Sequence, residues 1–166
     1  MIHIVLVEPE IPQNTGNISR TCAATGCALH LIEPLGFRID EKAVRRAGLD
    51  YWQYLNLTVH KSFEDFESVH GGKGTMYFCT TKAEHTYSDM NYQTDGDIYF
   101  IFGKETKGLP ERILKQHPET CIRIPMIADA RSLNLSNSVA IIAYEALRQQ
   151  DFGALKRQGA LTGRID

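Results

Sequence analysis

Three short segments of this chain carry polar side chains at spacings that suit gripping and orienting a ligand. They are Asn14-Thr-Gly-Asn-Ile-Ser-Arg20, Phe102-Gly-Lys-Glu-Thr-Lys-Gly-Leu-Pro110 and Ile124-Pro-Met-Ile-Ala-Asp-Ala-Arg-Ser-Leu-Asn-Leu-Ser-Asn137. Their polar set is Asn14, Arg20, Glu105, Ser132, Asn134 and Asn137, with no histidine or cysteine among them. Amides donate and accept hydrogen bonds and a guanidinium donates them, but neither shuttles protons near neutrality. His3, His30, His60, His70, His85 and His117 all fall outside the segments, so histidine acid–base catalysis has little support. Each polar residue also has a plain structural reading. Asn14 could cap a helix, Arg20 could sit on a solvated face, Glu105 could pair with Lys107, and Ser136 or Asn137 could cap the last helix.

These segments must be positioned by the elements around them. Ile2 to Val7 is a β-branched, nearly continuous apolar run that predicts a buried strand. After Pro9 and Pro12, helical spacing runs from about Asn14 to Thr25, with Ile18, Cys22 and Ala23 on one face and Gly26 as the stop. Further strands are predicted at Ala28 to Ile32, Thr58 to His60, Thr75 to Thr80, Asp97 to Phe102 and Cys121 to Ile124. Helices are predicted over about 40–47, after a Ser62 cap with Asp65 in capping-box position, after Pro110, and from Asn137 to Gln149. Residues 82 to 96 read as a loop, and the stretch from Phe152 as a loose tail. Strands alternating with helices predict an α/β domain over residues 1–150 with a mainly parallel sheet and a tail over 151–166. Each polar segment then lies where a strand hands over to a helix or loop, so all three can converge at one sheet edge.

Several function classes drop out. The chain lacks a G-x-G-x-x-G after the first strand, a G-x-x-x-x-G-K-[ST] phosphate loop and a G-x-S-x-G nucleophile elbow. Cys22, Cys27, Cys79 and Cys121 show no C-x-x-C or zinc-ligand spacing, so they are expected as reduced thiols, with no metal site. No apolar run approaches a membrane span, and the N-terminus reads as a strand and not a signal peptide, so the expectation is a cytosolic protein without membrane contact. The formal net charge of −2 does not advertise nucleic-acid binding. Two basic clusters, Lys42 with Arg45 and Arg46, and Lys104 with Lys107, Arg112 and Lys115, read as solvated helix faces on charge alone. Tyr51, Trp52 and Tyr54 could stack on an unpaired base, but packing is the plainer reading.

Taken together, the three segments resemble the motifs of the SPOUT methyltransferases, in the branch that methylates the ribose 2′-hydroxyl of RNA. Motif one is here Asn14 to Arg20, motif two Ile101 to Leu109, and motif three Ile124-Pro-Met with Ser132-Leu-Asn-Leu-Ser-Asn137. The resemblance covers about residues 1 to 150 and is nearest to the short TrmL/YibK type. It implies an α/β fold with helices on both sheet faces and a C-terminal trefoil knot, which no periodicity argument would predict. It implies S-adenosylmethionine as cofactor, with S-adenosylhomocysteine as product, and contacts at Cys79, Gly103, Ile124 and Ser132. Ile124, Met126 and Leu133 would flank the adenine, and Gly103 would let the backbone approach the ligand. Arg20 would orient the ribose hydroxyl and a phosphate, since free arginine is an unlikely base. Asn14, Glu105 and Asn134 would complete the catalytic set by holding the loops and the ribose. The substrate implied is the anticodon stem-loop of tRNA at wobble nucleotide 34, a cytidine or modified uridine, with leucine tRNA the expected species.

The resemblance also implies a homodimer with the site shared between subunits. The stripe Val139, Ile142, Ala143 and Ala146 looks longer than one sheet face needs, which predicts an interface at the first and last helices. Besides an unrelated α/β nucleotide-binding protein, against which the missing phosphate loops argue, two rival readings remain. One is a ribosomal-RNA ribose methyltransferase, which would often carry an extra RNA-binding domain. The other is a knotted RNA-binding protein without catalysis, against which Arg20 and Glu105 argue.

Overall fold

The computed structural model describes residues 1–39 and 54–161. The helix expected at 40–47, the cluster Lys42, Arg45 and Arg46, and the pair Tyr51 and Trp52 lie outside the described residues. Tyr54 is exposed, so it takes no part in core packing within the protomer.

Seven parallel strands form one sheet in the order β3-β2-β1-β6-β4-β7-β5. They are β1 (Ile2–Val7), β2 (Ala28–Ile32), β3 (Leu57–His60), β4 (Gly74–Cys79), β5 (His85–Thr86), β6 (Asp97–Phe102) and β7 (Cys121–Arg123). Every residue of β1 and β2 is buried, the signature of inner strands covered on both faces. The helices among the described residues are α1 (Pro12–Thr25), α2 (Phe63–His70), α3 (Glu111–Leu114) and α4 (Leu135–Gln149). Alternation along the strands sorts the core into two layers. Ile4, Leu6, Leu29, Leu31 and Phe100 pack with Ile18 and Cys22 of α1 and Val139, Ile142, Ala143 and Ala146 of α4. Val5, Val7, Ile32, Tyr99 and Ile101 pack with Phe63 and Phe66 of α2 and Ile113 and Leu114 of α3. Helices therefore cover both faces, as expected.

Three departures from the sequence expectations have physical causes. The 82–96 segment contributes the two-residue strand β5, which pairs with β7 through His85 and Ile122; so short an edge strand leaves no periodicity to read. The apolar stripe of α4 is consumed inside the protomer: Val139, Ile142, Ala143 and Ala146 are all buried against the sheet and α1, so it does not argue for a dimer. The tail is docked at its start. Phe152 and Leu155 pack against the core beside α4, and the Phe152 N–H donates to Leu147 O at 2.7 Å. The described cysteines are all free thiols, as expected.

The α2 face of the sheet buries a histidine ladder. His3 on β1, His30 on β2 and His60 on β3 step diagonally across three strands, and His70 ends α2 above them. His3 Nδ1 lies 2.9 Å from His30 Nε2, and His30 Nδ1 lies 3.0 Å from His60 Nε2. Burial lowers the pKa of all four; for His30, burial and the neighbouring His3, His70 and His60 bring it to about 3. The unfolded chain then binds protons that the folded chain refuses. Stability is fully present above the ordinary histidine value of 6.5 and is lost as pH falls from there towards 3. For His30 the slope is about 1.4 kcal/mol per pH unit across that window. Urea unfolding at about pH 7.5 and about pH 5 should show the loss, and His30→Gln should flatten the slope. Equal stability at both pH values would contradict a neutral ladder.

Candidate active site

The loops after β1, β4, β6 and β7 open at one edge of the sheet, where ligands of parallel α/β proteins bind. They border a cleft of about 610 Å³, within the size range of small-molecule sites. Asn14, Cys79, Gly103, Glu105, Ile124, Ser132 and Asn134 all line it. Ile124, Met126, Leu133, Leu109 and Ile142 supply apolar wall. Arg20 is not part of this wall. It stands exposed on α1, about 9 Å along the helix axis from Asn14 and about 120° round it.

One chain of hydrogen bonds draws the loops together. The Glu105 carboxylate accepts from Glu10 N–H at 2.8 Å, Ile11 N–H at 3.1 Å and Asn14 Nδ2 at 3.2 Å. Asn14 Oδ1 accepts from Asn134 Nδ2 at 3.0 Å. Asn134 Oδ1 in turn accepts from the backbone N–H groups of Ser136 and Asn137, so Asn134 is the N-cap of α4, and neither Ser136 nor Asn137 fills that role. Asn14 is likewise no cap. The cap position of α1 is Ile11, which has no capping side chain, and Glu105, about 95 residues away, accepts from the N–H groups of Glu10 and Ile11 at the helix entry. Burial alone would raise the Glu105 carboxyl, but the N–H donors of Glu10, Asn14 and Ile11 outweigh it and hold its pKa below the ordinary value. Glu105 is an ionised clamp and does not pair with Lys107.

Sequence reasoning missed the second half of this clamp. Glu10 accepts from the N–H of Thr106 at 3.0 Å and from its hydroxyl, and Lys104 pairs with Glu8. Isolated Glu8 and Glu10 carry no motif, and only folding brings them beside the 104–108 loop. The same loop gives Gly103 a structural role as well. A Cβ there would lie 2.1 Å from Gly108 C and 2.2 Å from Leu109 N, because the loop closes on itself through Gly108 N–H to Lys104 O at 2.8 Å. Gly103 admits the returning backbone of its own loop while also lining the cleft. Burial also raises the Cys79 thiol well above its ordinary value, so it lines the cleft as a protonated, unreactive group.

The clamp has a measurable cost of removal. Glu105→Ala leaves the Glu10 and Ile11 N–H groups without their acceptor and should lower unfolding stability by about 1–3 kcal/mol. Asn134→Ala removes a helix cap and should cost about 0.5–2 kcal/mol. Because the two share Asn14, the double variant should lose less than the sum. Strict additivity in denaturant titrations would break the proposed chain of bonds.

The comparisons with known proteins agree with this geometry. The model of the SpoU rRNA Methylase family matches residues 1–144. A Listeria monocytogenes protein, provisionally named a tRNA (cytidine(34)-2′-O)-methyltransferase, is 55% identical over 157 residues, which is 94% of this chain and 92% of that protein. The crystal structure of a provisionally named RNA methyltransferase from Bacillus anthracis superposes with a TM-score of 0.90 at 49% identity, covering 93% of this chain and 98% of the other. A structure described as giving insight into the 2-OH methylation of C/U34 on tRNA superposes with a TM-score of 0.83 at 42% identity, over 91% and 97% of the two chains. The shared architecture is the parallel sheet flanked by helices of the knotted relatives. The convergence of the three motifs on one cleft, in a chain matched from end to end of its sheet, places this protein in the SpoU rRNA Methylase family, closely related to the TrmL/YibK type.

Proposed function

We propose that this chain transfers a methyl group from S-adenosylmethionine to the ribose 2′-hydroxyl of wobble nucleotide 34, a cytidine or modified uridine, in the anticodon of tRNA. The observation that carries this reading is the cleft itself: all three motif segments meet there, tied by Glu105, Asn14 and Asn134. The donor fits it. Ile124, Met126 and Leu133 offer an apolar wall for a flat base, and the strand-end loops at 79–82, 103–108 and 124–134 offer backbone polar groups. The cofactor, when bound, supplies a methyl on a sulfonium, an activated leaving group that needs no metal.

The chain's own task is then positioning. Glu105 is held ionised by three donors, Lys82 pairs with Glu111, Lys104 pairs with Glu8, and none of the histidines lines the cleft among the described residues. Arg20 supplies a planar fork that can grip a phosphate and orient the hydroxyl beside it. Its place outside the wall of its own cleft supports a homodimer in which Arg20 serves a shared site. Ile141 and Tyr144, exposed on the outer face of α4, support an interface there. The free thiols suit the reducing cytosol, where we place the protein.

Incubating purified tRNA with the protein and S-adenosylmethionine, then mapping 2′-O-methylation, tests this reading. Methyl transfer to nucleotide 34 is expected, with leucine tRNA as one arm; transfer only to ribosomal RNA, or none, overturns it. Arg20→Ala should abolish transfer while leaving calorimetric S-adenosylhomocysteine affinity nearly intact, and Arg20→Lys should be badly impaired as well. Wild-type transfer by Arg20→Ala would remove the role given to that residue. Sedimentation at micromolar protein should show a dimer, and a monomer alone would remove the shared site.

A further inference from the structure

The histidine ladder under α2 lies apart from the cleft, which none of its histidines lines. We propose that His30, His60 and His70 form a site for a divalent transition-metal ion of the zinc type, with His3, Asp97, Asp65 and Tyr99 as the groups that orient them. One ring nitrogen from each of the three histidines lies within 4.8 Å of the others. They stand on β2, at the end of β3 and at the end of α2, so regular elements hold all three.

The argument is a count of protons. His3 Nε2 faces Asp97 Oδ1 at 3.6 Å, His3 Nδ1 faces His30 Nε2, His30 Nδ1 faces His60 Nε2, and His60 Nδ1 faces Asp65 Oδ2 at 3.8 Å. The two inner contacts are hydrogen bonds and take one proton each, while the two outer ones, at ion-pair range, are favourable only where the ring nitrogen facing the carboxylate carries its proton, so the row calls for four. Three neutral imidazoles carry only three. Whichever way the tautomers are arranged, one link sets two lone pairs against each other. Placing the mismatch at His3 leaves its Nε2 against Asp97, and that nitrogen has no hydrogen-bond donor or acceptor within range. A fourth proton would restore the count but would bury an imidazolium, which burial disfavours.

A metal ion in place of the His30–His60 proton balances the row. His30 Nδ1 and His60 Nε2 become ligands, and the three remaining protons serve the three remaining links: His60 to Asp65, His30 to His3, and His3 to Asp97. His70 completes the set, because its Nδ1 lies 3.2 Å from the Tyr99 hydroxyl and leaves Nε2 for the ion. Each ligand then has its other nitrogen directed at a hydrogen-bonding partner, the arrangement that fixes tautomer and ring orientation in metal sites. Zinc–nitrogen bonds of about 2.0–2.1 Å in a tetrahedron separate ligand atoms by about 3.3 Å, close to the 3.0 Å now between His30 Nδ1 and His60 Nε2. Asp65 and Asp97 at the two ends offset the charge of a divalent ion. Imidazole ligands select the zinc-like ions over magnesium or calcium. The ion would staple the four-residue edge strand β3 and α2 to β2, a stabilising role separate from the cleft.

Tag-free protein stripped by a chelator and dialysed against zinc should retain one ion per chain, and cobalt should give the visible bands of a tetrahedral site. X-ray absorption of the zinc form should show nitrogen and oxygen ligands without sulfur. His70→Ala should weaken zinc binding by on the order of a hundredfold or more, beyond the loss seen for outer partners. His85→Ala, remote from the ladder, should leave it unchanged, and S-adenosylhomocysteine affinity should be the same in both variants. No stoichiometric uptake by the wild-type chain, a sulfur-containing ligand set, or wild-type affinity in a folded His70→Ala protein would each overturn the proposal.

Discussion

The Glu105 carboxylate is the joint on which the cleft depends. A helix entered through Ile11 has orphan N–H groups and no side chain of its own to receive them. Glu105 receives two backbone N–H groups there, at the end of α1 where a negative charge is also favoured by the helix dipole. In doing so it pins the loop after β6 to the start of α1. Asn14 passes the constraint to Asn134, which caps α4, so the loop after β7 is registered against the other two. Three strand-end loops that would otherwise move independently share one hydrogen-bonded unit.

This arrangement changes what the polar set of the three motif segments has to mean physically. Asn14, Glu105 and Asn134 spend their hydrogen-bonding capacity on one another and on backbone, which is how a cleft is kept in shape before a ligand arrives. Arg20 differs from them in kind. It lies on the exposed side of α1, outside the wall of the cleft. The sheet beneath supplies the rigidity, with β1, β6 and β4 adjacent and covered by a separate apolar layer on each face.

Much of this was legible in the chain. Continuous apolar runs at Ile2–Val7 and Asp97–Phe102 mark strands buried on both faces, and Gly26, with φ of 74°, ends α1 where left-handed backbone favours glycine. The three polar segments sit at strand ends in the order that a parallel α/β sheet gathers at one edge. What was not legible has a common cause. β5 is two residues long and exists only because β7 lies beside it. The α4 stripe looked surplus because the contribution of α1 to the same core layer is invisible from α4 alone.

By itself the sequence determined the α/β class, the inner strands, the family and the residues that meet at the cleft, because these rest on local periodicity and on short motifs. Only the tertiary structure decided what those residues do to one another. Glu105 finds its partners about 95 residues away, Gly103 is required by the return of its own loop, and His30, His60 and His70 come together from three elements with no ligand spacing between them. Hydrogen bonds and ring contacts form between atoms within a few ångströms, and distance along the chain carries no record of which atoms those will be.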